Sequence, residues 1–499
     1  MRKINLILLL CLVAFTSCED AIDIEQVGRL TPDVAFETSE DLQKGLIAVY
    51  NQYDVTSEIA LAAEYTDEVA RGFATGGQGY TTGLVYNLNP SSAASFAFWS
   101  RGYSQLNAVN RLIEASEFVE DKDDPLFDDV LGQAYALRAF SHFYLLSYYT
   151  TDYTDDSALG VIVLENVPEI DEQRLRNTNG EVYASINADL DRADNLIADQ
   201  RNPIFVSKDF VKALRARMAA YRQNYPLAEQ LALELTEAYP LANREQYAAM
   251  FEDEDNTEII FKLLRLNDDS YDGQGATGSV SAGGWAGASF AFTNGRIGGG
   301  VYYEIDRGLF NLWDPEDIRF EVNVDSTSLI SDDYQNTDDY IQDDILVVGK
   351  YTGKPGNPLM NDLKVFRSSE MQLIVAEARV ALGRLNGETN SAASAIKELR
   401  DARFGEETEL PNYSSPENAY AAILNERRRE LSFEGHRWKD LKRLGERANQ
   451  DAVRDPLDCA FFGEGACSLD AGDFRFTLPL PIIEFNGNPG LRDQQNPGY

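Results

Sequence analysis

Histidine is almost missing from this chain: two residues in 499. That leaves little room for histidine-based general acid–base chemistry. The motifs G-x-x-x-x-G-K-[ST], H-E-x-x-H, G-x-S-x-G and C-x-x-C do not occur, which removes the familiar nucleotide, zinc-protease, serine-hydrolase and dithiol readings. Basic residues are the minority, 44 Lys and Arg against 82 Asp and Glu, for a formal net charge of −38. Phosphate binding needs a basic face, so nucleic acid is excluded as a partner. Strongly anionic polymers are disfavoured on the same ground. No apolar run after Ile4–Phe15 is long enough to cross a bilayer as a helix. A glycosidase needs only two carboxylates, but among 82 acids no pair stands out. The residues point to a non-enzyme without a cofactor.

What is present is globular: 44% hydrophobic and 11% aromatic residues. The length exceeds one compact core, so a two-lobed or superhelical body is expected. Arg2 and Lys3 followed by Ile4–Phe15 read as a secretory signal peptide, residues 1–17. Phe15-Thr16-Ser17-Cys18 reads as a lipoprotein cleavage site, with Phe15 where Leu is usual and Cys18 as the acylated residue. The alternative is ordinary secretion with a free Cys18. Two or three acyl chains would anchor the protein firmly. Residues 18–30 then form an acidic tether, Glu19-Asp20-Ala21-Ile22-Asp23-Ile24-Glu25 at its head. Cys459 and Cys467 flank a Gly-containing loop. In an exported chain they read as a disulfide. A metal pair would need two further soft ligands, and His142 and His436 both sit in predicted helices. Asp268-x-Ser270-x-Asp272-Gly273 resembles the start of a calcium loop, but Ser279 stands where the bidentate acid belongs, which favours a solvated turn.

Helical patterns dominate the rest. Ser39 is the expected N-cap of a helix over 41–53 that buries Leu42, Leu46, Val49 and Tyr53. Further helices are predicted over 98–116 and 131–149. Residues 206–238 read as two helices around a turn at Asn224-Tyr225-Pro226, and 370–403 as two around Gly383. Small residues such as Ala213, Ala216, Ala220 and Ala228 recur at tetratricopeptide-like positions, where they let paired helices approach. Two stretches differ in kind. Residues 64–90 are rich in Gly, Thr and Tyr without a period, and 266–362 are rich in Gly, Asp, Tyr and Asn. Loops of that length are usually functional.

The organising stretch is AILNERRRELSFEGHRWKDLKRLG, residues 422–445. Tyr420, Ile423, Leu424, Arg427 and Leu431 form one helical stripe. Glu426, Glu430 and Glu434 step by four, with Arg427, Arg428, Arg429 and Arg437 placed to pair with those carboxylates, Arg437 at the start of the next helix. Gly435 should stop or bend it. Phe433 and Trp438 bracket the charges, so at least one Arg–Glu pair should be half-buried.

From Glu426-Arg427-Arg428 to Arg443 this stretch resembles the E-R-R-x-E-L-x-F-E-G-x-R-x-x-D-L-x-R signature of the SusD/RagB family of outer-membrane nutrient-binding lipoproteins. The tail agrees: Leu478-Pro479-Leu480-Pro481, then Asn488-Pro489 and Gln495 to Tyr499. So does the Trp99–Asn110 helix, with Leu106 where Ile is usual. The resemblance covers about residue 31 to the end. It implies a mostly α fold: a tetratricopeptide-type helical scaffold over 31–265 and 363–499, with a long irregular, loop-rich insertion over 266–362 carrying the ligand site, all within one domain over 31–499. It implies a surface-facing lipoprotein of the outer membrane that captures oligosaccharide or polysaccharide for a partner SusC-like TonB-dependent transporter. The RagB-like variant of the fold captures peptides instead. By region, the resemblance assigns ligand contacts to Asp67, Arg71 and Tyr80 in the early loop and to Trp285, Asn294, Arg296 and Tyr302 in the later one. Trp285 is the tryptophan that lies outside the family's helix and structural motifs, and a flat ring is a platform for the C–H face of a sugar.

Overall fold

The architecture is that of a computed structural model, which describes residues 31–72, 83–266, 303–336, 344–354, 357–358, 360–459 and 464–499. Helices carry it. In chain order the main elements are α1 (Ser39–Tyr50), α2 (Thr56–Glu64), β1 (Val69–Arg71), α3 (Ala93–Ala115), α4 (Pro125–Tyr149), α5 (Asn179–Leu196), α6 (Lys208–Tyr221), α7 (Tyr225–Ala238), β2 (Ile259–Leu263), β3 (Tyr303–Ile305), β4 (Leu363–Arg367), α8 (Ser368–Ala381), α9 (Ala392–Phe404), α10 (Pro416–Glu430) and α11 (Arg437–Ala448). Local signals set their ends. Thr38, one residue before the expected cap, accepts from the Asp41 N–H and starts α1. Thr178 and Glu181 form a reciprocal capping box on α5. Asp124 and Pro125 start α4 a turn and a half before its apolar run begins.

Successive helices pack as neighbours: α3 on α4, α4 on α5, α6 on α7, α7 on α8, α8 on α9 and α10, α10 on α11. The turn between α6 and α7 is residues 222–224, earlier than expected: Tyr225 and Pro226 already form the first turn of α7, where proline's missing N–H costs nothing. Helix α4 is buried almost all round from Val130 to Tyr149, which explains its weak amphipathic pattern. Helix α3 approaches it closely at Gly102, where a Cβ would sit 2.5 Å from the Leu145 side chain. The antiparallel pair β2–β4 joins the two halves of the scaffold. Around it Phe210 meets Phe261, Phe366 and Phe140 edge-on, with centroids 4.9, 5.3 and 5.7 Å apart.

Beside this apolar core lies a second, charged one. Glu430 accepts from Arg403 at 2.8 Å and from Arg367 at 3.1 Å. Glu258 receives the same two guanidiniums at 2.7 and 3.0 Å. Glu434 receives Arg367 and the Lys350 ammonium at 2.8 and 2.7 Å. Glu426 receives Arg319 at 2.7 Å. All of these side chains are buried. The pairing along one helix expected from sequence forms at Glu426–Arg429, but Arg427 and Arg428 reach other elements. The cations on the three glutamates come largely from β4, α9 and the 303–354 region, because the glutamates face the interior rather than the surface. Burial raises the Glu430 carboxyl, yet Arg403 and Arg367 outweigh it and hold it well below the usual carboxylate range. Helix α10 ends at Glu430, and the chain turns through Phe433 and Gly435, both at positive φ. Gly435 passes close to Glu58 in α2, where a Cβ would lie 3.0 Å from that side chain.

Residues 303–336 and 344–354 of the 266–362 region are less loop-like than their composition suggests. They bury Arg307, Arg319 and Lys350 and contribute Trp313, whose indole N–H donates to the Arg429 carbonyl.

Candidate functional site

Strands β1 and β3 pair antiparallel, with Val69 opposite Ile305, Ala70 opposite Glu304 and Arg71 opposite Tyr303. Residues 73–82 follow β1 after Gly72, and residues 267–302 lead directly into β3. One short ribbon therefore brings together the bases of the two segments that the sequence singles out.

The ribbon is braced from beneath. The Tyr303 hydroxyl donates to Glu64 at the end of α2, 2.8 Å away. Burial pushes the Glu64 carboxyl up to about 7, although the Tyr303 bond draws it down. Asp67 takes two parallel bonds from the Arg437 guanidinium, 2.8 and 2.7 Å. Arg428 reaches the Asp67 carbonyl and, at 3.2 Å, the Asp306 carboxylate beyond β3. The Phe433 N–H donates to Glu68 at 3.2 Å, and burial, then the neighbouring Asp67 charge, pushes Glu68 up to about 8. Arg454 holds the Glu64 and Leu84 carbonyls at 2.6 and 2.5 Å. Arg307 pairs with Asp344 at 2.8 Å and with Asp458. Next to Asp458, Cys459 is joined to Cys467 by a disulfide, Cα atoms 5.1 Å apart. The arginine-rich signature is thus the ribbon's foundation.

These contacts correct one assignment. Asp67 is buried at 1% exposure and spends its carboxylate on Arg437, so it braces the ribbon and does not meet a ligand. Arg71 is half-buried in β1. Tyr80, Trp285, Asn294, Arg296 and Tyr302 lie outside the described residues, as does Cys18. Sequence reasoning missed Glu64, Glu68, Tyr303 and Asp306 as the ribbon's bracing groups; the run Glu64-Tyr65-Thr66-Asp67-Glu68 opens the stretch that reads as an irregular, functional loop. Among the described residues no group of three or more His, Cys, Asp or Glu is arranged to hold a metal. His142 and His436 are both buried, and burial lowers both; His436 is the residue before α11 rather than within it. No helix of the described residues is long and apolar enough to cross a membrane.

Fold and ribbon together define a helix-rich scaffold that carries two long segments on one charge-braced base. Solved structures of the SusD superfamily share this overall fold. Residues 347–499 match the model of the SusD family, and residues 22–222 match a family described as starch-binding, associating with outer membrane. SusD-like protein P2 of Formosa agariphila is 25% identical over the full length of both chains. A SusD superfamily protein of Bacteroides thetaiotaomicron, 21% identical, superposes with a TM-score of 0.75 over 92% of this chain and all of its own. Surface glycan-binding protein A of Bacteroides fluxus, 19% identical, gives 0.70 over 93% of this chain and all of its own. The chain belongs to the SusD-like family.

Proposed function

We propose that this protein is a surface-exposed lipoprotein of the outer membrane, anchored through Cys18, that captures oligosaccharide and delivers it to a SusC-like TonB-dependent transporter. It performs no catalysis in this reading. The observation that carries it is the β1–β3 ribbon: Arg71 and Tyr303 lie opposite each other, so the segments bearing Tyr80 and Trp285 start from one point. A concave site needs several side chains converging from separate loops, and a shared rigid base supplies that. The glycan-binding protein of Bacteroides fluxus and the family described as starch-binding support carbohydrate over the peptide of a RagB-like protein. The excess of acidic groups favours a neutral glycan.

The test is an array of neutral and acidic glycans and of peptides, probed with the purified protein lacking residues 1–17. Binding to neutral oligosaccharides is the expected result. Retention by peptides alone would overturn the reading in favour of peptide uptake. Delivery is tested by co-purification: the membrane-extracted lipoprotein should carry a TonB-dependent barrel with it.

A further inference from the structure

Away from the ribbon, a cleft of about 720 Å³ opens between α3, the extended segment around 162–174 and the closing turns 483–491. That volume lies in the range of ligand pockets, roughly 300–1,000 Å³. No residue of β1 or β3 lines it.

One wall is a polar stripe on α3. Ser100, Ser104, Asn107 and Arg111 follow one another at helical spacing and so share a face. Arg111 Nε donates to Asn107 Oδ1 at 2.7 Å, and the Arg111 side chain is exposed. The opposite wall carries Pro168, the fully exposed Ile170, and the Glu172–Arg174 pair at 2.6 Å. The far end carries Ile483, 53% exposed, and Glu484. Burial raises the Glu484 carboxyl, and the Trp99 indole N–H bonded to it partly offsets the rise.

The backbone of the 160–164 wall is already satisfied. Gly160 N–H donates to the Asn177 carbonyl, Ile162 to the Tyr103 hydroxyl, Val163 to the Asn177 side chain and Leu164 to His142. An extended peptide adding as a strand would find these donors taken. What the cleft offers instead is side-chain chemistry: three hydroxyls, two amides, two guanidiniums and two carboxylates, interleaved with aliphatic surface. The two charges of each sign balance, so an ionic ligand gains no net attraction. Planar amide, guanidinium and carboxylate groups suit pairs of adjacent hydroxyls, and Pro168, Ile170 and Ile483 suit C–H faces.

We propose that this cleft is a second saccharide-binding site, taking a short neutral stretch of glycan, on the reading that the protein captures oligosaccharide. Two sites on one rigid body would hold a polymer by effective concentration, so a weak cleft still lengthens retention.

The experiment is calorimetric titration of the full mature protein with five probes: maltohexaose, cellohexaose, laminarihexaose, mannohexaose and xylohexaose. Ser104→Trp fills the cleft from an exposed helix position, and Arg111→Ala removes its exposed guanidinium; neither side chain is in the core. Trp285→Ala serves as the reference for the loop site. At least one probe should bind wild type at two sites. Ser104→Trp should remove one of them, and Arg111→Ala should weaken that same site about tenfold. Should both cleft variants titrate like wild type while Trp285→Ala loses binding, the cleft proposal is overturned and the loop site stands. Should none of the five probes bind wild type, the cleft proposal fails, and the glycan array decides the parent reading separately.

Discussion

Asp67 and Arg437 are joined by two parallel hydrogen bonds, 2.8 and 2.7 Å long, although 370 positions separate them in the chain. The pair ties the start of β1 to the start of α11, and Arg428 completes it from α10 at 3.5 Å. Burial alone would raise the Asp67 carboxyl, but Arg428 and Arg437 hold it down at about 2. Its contribution is therefore complete above the ordinary aspartate range and is lost as pH falls from about 4 through 2.

Removing one member of such a pair leaves the other desolvated. Arg437→Ala should cost about 3–5 kcal/mol, read as a lower urea midpoint at pH 7. Glycan affinity should survive in the protein that remains folded. A midpoint equal to that of wild type would show that the pair is not a brace.

Glu68 should behave in the opposite sense to Asp67. Its folded value of about 8 lies above the unfolded one, so the native state keeps a proton that the unfolded chain releases. Stability should then fall as pH rises from about 4.5 to 8, by up to about 1.4 kcal/mol per unit. Glu68→Gln should flatten that decline and be the more stable form at pH 9. Parallel profiles for wild type and variant between pH 5 and 9 would count against a buried, protonated Glu68.

The disulfide closes a short loop, eight positions apart. Replacing Cys459 and Cys467 together by Ser should cost about 2–3 kcal/mol. Non-reducing digestion followed by mass spectrometry should recover the two peptides linked. Recovery of two alkylated thiols without reductant would contradict the bond.

Trp285→Ala should weaken glycan binding by about 2 kcal/mol, roughly thirtyfold, with little change in Tm. Trp285→Phe should keep part of the affinity, because a smaller apolar face remains. Wild-type affinity in the Ala variant would move the platform elsewhere, with Tyr80 next in line.

Cys18→Ala should release the protein from the membrane fraction, since the acyl chains are its proposed anchor. Protease added to intact cells should digest the wild type. Protection from that protease would defeat the outward orientation.

The helices were legible because their apolar stripes and caps are local: α6, α7, α8 and α9 fall where small residues and turn signals put them. The ends were less so, as at Thr38, because two adjacent hydroxyl residues compete for one cap. The charged core was half legible. Glu426, Glu430 and Glu434 announced themselves, but Arg319, Arg367 and Arg403 did not, since nothing local distinguishes an arginine bound for the interior from one bound for water. Asp67 was misassigned for the same reason. An acid in a Gly- and Thr-rich stretch reads as exposed until its partner, hundreds of residues later, is known. The closing cleft was invisible: its stripe on α3 looks like an ordinary solvated helix face.

The distance between Asp67 and Arg437 also fixes an order of events. Glu58 takes its cation from Lys439 at 3.2 Å, and Asp67 takes its own from Arg428 and Arg437. Ribbon strand β1 must likewise wait for β3. A chain still being made therefore holds uncompensated acids in the very segment that leaves the ribosome first, and contacts this distant in sequence form slowly. Asp67 and Glu58 therefore meet these partners only once the arginine-rich stretch has emerged.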